Sequence, residues 1–115
     1  MENIGARIER EVTSWEGVTA HPHRFGGREF RLGRRALGHL HGERWADLVF
    51  HKGVRDMLVE TGRAQPHHVL PHTGWVSKQI RDESDAEEVV ELFRLAWERA
   101  RVAEQVAGSR LDGDE

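Results

Sequence analysis

Two imidazoles separated by one leucine open the chemical reading of this chain, in the run Gly38-His39-Leu40-His41-Gly42-Glu43. On a β-strand, side chains two residues apart leave the same face, so His39 and His41 project together, with Glu43 next if the strand continues. A rise of about 3.3 Å per residue sets the two rings roughly 6 to 7 Å apart, close enough to share a ligand or one metal ion. His39, His41 and Glu43 are therefore one candidate set for a divalent cation. The competing reading is a pair of polar residues on a wetted sheet face. His21 and His23 repeat the spacing around Pro22, and four imidazoles would converge if the two strands were neighbours in register. A third group lies in Pro66-His67-His68-Val69-Leu70-Pro71-His72-Thr73-Gly74-Trp75. Two prolines stiffen this segment, a neutral histidine in it could act as a general base, and Trp75 offers a flat surface for stacking an aromatic ligand.

Arg24, Arg28, Arg31, Arg34 and Arg35 make a basic patch that could hold a carboxylate, a phosphate or a nucleic-acid backbone. The overall balance points away from nucleic acid: 17 Lys and Arg against 20 Asp and Glu leave −3 with histidine neutral. No phosphate loop, dinucleotide glycine fingerprint or serine-nucleophile elbow is present. With no cysteine there is no disulfide framework, thiolate zinc site or cysteine nucleophile, and a reducing cytoplasm is the expected setting. No apolar run approaches the roughly 18 residues needed to cross a bilayer, so no membrane association is expected. Met1 to Gly5 carries neither a basic nor an apolar stretch, and no signal peptide is expected.

The elements that must position these residues follow from periodicity. The chain has 115 residues, 37% of them apolar, which suits one domain around one core. Ile4, Ile8 and Val12 recur every fourth residue and predict a helix over 2–15. Short strands follow from Val18, around Phe30 and Leu32, over 36–41 and over 45–50, with Gly26-Gly27 read as a hairpin turn because both residues tolerate positive φ. Lys52 to Thr61 reads as a short helix ended by Gly62, and 64–73 as a loop without regular structure. A strand over 75–80 precedes a long helix, with Ser84 as its N-cap in a capping box with Glu87. That helix runs to about Ala107 and buries Val89, Val90, Phe93, Ala96, Trp97 and Ala100. The fold class is α+β: an antiparallel β-meander with helices packed on one face, as a single domain over 1–108, followed by a disordered acidic tail over 109–115. The other sheet face is free to form a site, and exposed edge strands leave a homodimer open.

Arg35-Ala36-Leu37-Gly38-His39-Leu40-His41, Trp45-Ala46-Asp47-Leu48, His67-His68-Val69-Leu70-Pro71, Gly74-Trp75-Val76 and Glu91-Leu92-Phe93 together resemble the luciferase-domain family, named for fungal luciferases. The similarity runs from about Glu11 to Arg101. It implies a small-molecule pocket and, by analogy with fungal luciferases, cofactor-independent oxidation of a hydroxylated pyrone by molecular oxygen. His39 and His41 would line the pocket, His67 or His68 would contribute from the loop, and Arg35, Trp45 and Trp75 would contact the ligand. A base would deprotonate the phenol-like substrate and a positively charged or hydrogen-bonding wall would stabilise the anion that meets oxygen. The layout is also similar, more distantly, to the small MmcQ/YjbR-like proteins, which implies instead a non-catalytic binding module working through the arginine-rich hairpin.

Overall fold

Asn3 begins the first helix because its Oδ1 accepts the Ala6 N–H at 2.7 Å, meeting one of the donors a helix start leaves free. The computed structural model describes residues 2–113, with side chains described through residue 107. Helix α1 covers Ile4–Thr13 and buries Ile8 and Val12 completely. Strands β1 (Val18–Pro22), β2 (Arg28–Leu32), β3 (Arg35–His41) and β4 (Trp45–Val49) follow, then α2 (Lys52–Glu60), β5 (Gln65–Pro66), β6 (Trp75–Gln79) and α3 (Glu83–Gly113). The six strands form one antiparallel sheet in the order β1-β2-β3-β4-β6-β5, so the expected α+β meander is what the chain builds.

One sheet face carries the core. Phe30, Leu40, Ala46, Leu48 and Val76 are buried against Ile8 and Val12 of α1 and against Val89, Leu92, Phe93 and Ala96 of α3. Phe30 meets Phe93 edge to face at 5.2 Å, a favoured aromatic geometry. Leu92 is fully buried, although it lies outside the stripe expected from sequence, and Val90 is only partly covered. Gly38 is required where β3 crosses beneath Phe93. A Cβ there would come within 2.4 Å of the Asp47 carbonyl and 3.0 Å of the Phe93 ring, so only hydrogen lets β3, β4 and α3 approach this closely.

Several local expectations change. The Gly26-Gly27 turn is a five-residue loop closed by the His23 N–H donating to the Gly27 carbonyl at 2.8 Å. Its positive φ angles fall on Phe25 and Gly26, while Gly27 is extended. The long helix starts earlier than Ser84: Asp82 Oδ1 accepts the Asp85 N–H at 2.9 Å, and the Arg81 N–H donates to Asp85 Oδ2 at 2.9 Å. Asp82 caps the helix, and Asp85, three residues on, reaches back to the Arg81 N–H just before the cap. Gln65 and Pro66, expected to be irregular, pair with Ser77 and Val76 at the sheet edge, where a proline removes no needed donor. Helix α3 continues past Ala107 to Gly113; the side chains of the expected tail, and Asp114 and Glu115 altogether, lie outside the described residues.

Candidate functional site

The face opposite the core is built by the two-residue period acting across all six strands. His21 stands opposite Glu29, Glu29 opposite His39, His39 opposite Asp47, Asp47 opposite Ser77 and Ser77 opposite Gln65, giving one transverse polar row. Trp45 lies opposite His41, and Trp75 opposite Val49 on β4.

Around Asp47 the rings form a closed circuit. His23 stacks on His39 at 3.8 Å, and His39 stacks on Trp75 at 5.1 Å. Trp75 meets His67 at 6.0 Å, and His67 stacks on His68 at 4.4 Å. His68 meets Trp45 at 6.3 Å, Trp45 stacks on His41 at 4.8 Å, and His41 returns to His23 at 5.8 Å. Five imidazoles and two indoles thus surround one carboxylate. The sequence-selected His39, His41, His67, His68, Trp45 and Trp75 are all brought together.

Carboxylates fix the two strand histidines. An ionised carboxylate only accepts, so each imidazole must donate. His39 Nε2 therefore donates to Glu29 Oε1 at 3.0 Å, and His41 Nε2 to Asp47 Oδ2 at 3.0 Å. That leaves the lone pair on Nδ1 of both rings. Asp47 is 3% exposed and also accepts the Ser77 hydroxyl at 2.6 Å, with His67 Nε2 3.7 Å away. His67 Nδ1 accepts the N–H groups of Val69 and Leu70, both at 3.1 Å, so its own proton sits on Nε2 facing Asp47. The loop holding His67 is anchored to α2 by an Arg55 donor on the Pro71 carbonyl.

Burial pushes the His39 pKa down, with the neighbouring His23 and His41 adding to the shift and Glu29 opposing it. Burial likewise lowers His67 against the pull of Asp47, so both rings favour the neutral form. For Glu29, burial raises the pKa, but hydrogen bonds from His39 and Arg31 prevail and hold the carboxyl below its usual value.

A concavity of about 640 Å³ adjoins the circuit, lined by Phe25, His41, Gly42, Arg44, Trp45 and His68 among others. Phe25 is fully exposed and adopts φ 56°, a left-handed conformation unusual for a bulky residue. The Trp45 indole N–H is shielded from solvent and has no acceptor among the described residues. Phe25 is thus exposed at this rim, while the unpaired Trp45 N–H lies beneath the surface.

Not every expectation survives. Glu43 leaves the metal set: β3 ends at His41, Gly42 turns with φ 61°, and Glu43 Oε1 accepts the Ile4 N–H at 3.1 Å. Arg35 is at the far end of β3, roughly 13 Å along the strand from His39, and lines a separate concavity with Leu37, Phe50 and Arg99. The arginine patch is divided in the same way. Arg24 and Arg28 stand at one end of β2 and Arg34 and Arg35 beyond the other, while Arg28 pairs with Glu9 and Arg31 with Glu29. His21 joins neither circuit nor β3, because β2 lies between; its Nε2 contacts the Thr19 hydroxyl at 2.8 Å.

Sequence reasoning missed Asp47, Glu29, Ser77 and Phe25. A signal existed for Asp47, since Trp45-Ala46-Asp47 puts the acid on the same strand face as Trp45. Glu29 and Ser77 needed the strand register, and Phe25 the loop backbone. No helix among the described residues is long and apolar enough to cross a membrane. Comparison with curated proteins and with solved structures returns no match. The Luciferase domain family, by contrast, matches residues 34–96, which include β3, β4, the histidine loop, β6 and the buried half of α3. Because that match covers more than half of the chain and contains His39, His41, Asp47, His67 and His68, the chain belongs to the luciferase-domain family.

Proposed function

We propose that the helix-free face binds a planar, hydroxylated small molecule of the phenol or pyrone class, and that a carboxylate-held histidine removes its hydroxyl proton. The supporting observation is the circuit of five imidazoles and two indoles around Asp47, opening beside a concavity large enough for such a ligand. Indole faces stack flat rings, and the free Nδ1 of His41 or His39 is a base whose other nitrogen is already oriented. The likeness to fungal luciferases supports extending the reading to cofactor-independent, oxygenase-like oxidation of the deprotonated ligand by molecular oxygen, and the lack of cysteine supports a cytoplasmic setting.

The test is a thermal-shift panel of phenols and hydroxypyrones on the wild type and on the double variant His39→Ala/His41→Ala. Wild-type shifts that vanish in the variant support the reading. Identical shifts in both proteins, or none in the wild type across the panel, overturn it.

A further inference from the structure

We infer that His23, His39 and His41 form a three-imidazole site for a divalent transition-metal ion of the zinc class, with Glu29 and Asp47 holding two of the ligand rings from behind. One ligand nitrogen from each of the three histidines lies within 4.8 Å of the other two. A tetrahedral ion about 2.1 Å from each nitrogen has ligand-to-ligand edges of roughly 3.4 Å, so each edge is open by at most about 1.4 Å. The decisive feature is the far side of the rings. Metal-binding histidines characteristically donate their other N–H to a carboxylate, and His39 to Glu29 and His41 to Asp47 do this at 3.0 Å each. Both carboxylates are mostly buried, at 17% and 4% side-chain exposure.

A second group, Asp47, His67 and His68, meets the same distance criterion. Proton bookkeeping disfavours it. His67 Nδ1 already accepts two backbone N–H groups, so its Nε2 carries the proton and is a donor toward Asp47, not a lone pair. To ligate through Nε2 it would have to become an imidazolate. The strand pair needs no such change.

His23 completes the set from the loop. Its ring lies flat on His39, where two in-plane lone pairs cannot meet at one point, so ion uptake requires His23 to turn edge-on. It makes no ring hydrogen bond among the described residues, and its position is kept by the backbone contact to Gly27 at 2.8 Å, which such a turn leaves intact. Three protein ligands leave a coordination position open for water or a hydroxyl oxygen, as in catalytic rather than structural zinc sites. The inference rests on this face being the functional one and changes the base of the small-molecule reading: a bound ion would take the histidine lone pairs and would supply a metal-bound water in their place.

The test uses the full, untagged chain, stripped with a chelator and titrated with Zn²⁺ and Co²⁺ in the absence of organic ligand, with circular dichroism confirming the fold of each variant. The expected result is one equivalent of tightly bound metal and a four- or five-coordinate cobalt spectrum. His23→Ala and His41→Ala should weaken binding at least about 100-fold and Glu29→Gln about 10-fold, while His68→Ala binds as the wild type. His23 is a loop residue outside the core, so its variant keeps the test open if His41→Ala fails to fold. Absence of stoichiometric uptake by the wild type overturns the inference, as does loss of binding in His68→Ala with His23→Ala unaffected. Phenol or pyrone shifts measured on the chelated protein report on the small-molecule reading separately, so either can fail alone.

Discussion

Among the described residues two acidic side chains are buried, Asp85 and Asp47, and they are buried differently. Asp85, 8% exposed, lies at the start of α3 beside permanent cations: Arg81 donates to it through both its backbone N–H and its Nε, at 2.9 and 3.0 Å, and Lys78 Nζ is 3.6 Å away. Those contacts, the Arg81 side chain foremost, lower its pKa to about 2. Asp47, 3% exposed, has a serine hydroxyl and imidazoles around it, and no lysine or arginine pairs with it among the described residues. A carboxylate that only caps a helix is given fixed charge. A carboxylate surrounded by imidazoles and a hydroxyl has no fixed positive charge beside it, the setting in which the proposed proton and metal chemistry would operate.

Replacing the two acids should separate these roles. The largest effect on folding is expected from Asp85→Ala, which removes the acceptor of the Arg81 N–H and strands Lys78: about 3 kcal/mol of stability by chemical denaturation, with metal titration unchanged. A loss below about 0.5 kcal/mol would remove the contrast, since Asp85 would then be no more structural than a surface acid.

Acid titration probes the same residue without mutation. Its folded pKa is depressed from 3.8 to about 2, so its contribution is fully present above pH 3.8 and is lost as pH falls toward 2. Comparing wild type with Asp85→Asn, the wild-type advantage should shrink by about 2 kcal/mol across that interval. An advantage that persisted unchanged at pH 2 would contradict the assignment.

The smallest effect on folding is expected at Asp47. Asp47→Asn keeps the shape and can still accept from Ser77, so stability should change by no more than about 1 kcal/mol. His41, however, loses the acceptor that sets its tautomer, and the pH dependence of zinc binding should shift along with its affinity. A variant that unfolds, or one that binds zinc as the wild type does, would show that Asp47 is a structural acid like Asp85.

Much of the site was legible because the two-residue strand period is a property of the backbone: His39 and His41 had to share a face, and Trp45 and Trp75 were in strands that reach it. The long helix was equally readable, since Phe93, Ala96, Trp97 and Ala100 recur at helical spacing. Arg35 misled because it is close to His39 in number while a strand carries it along the sheet. Glu43 misled because the alternation stops where Gly42 turns the chain. His23 could not be placed by any periodicity, for its position depends on how the loop from His23 to Gly27 closes.

What the amino-acid order determined alone, then, was local: which residues alternate, which repeat every three or four, and where glycine or proline interrupts. Only the tertiary structure decided that β2 separates His21 from His39, that Asp47 lies at the centre of the rings, and that Glu29 and Asp47 each hold one strand histidine. The reason is that inter-strand register and loop closure are set by contacts between residues far apart in the chain, of which periodicity carries no record.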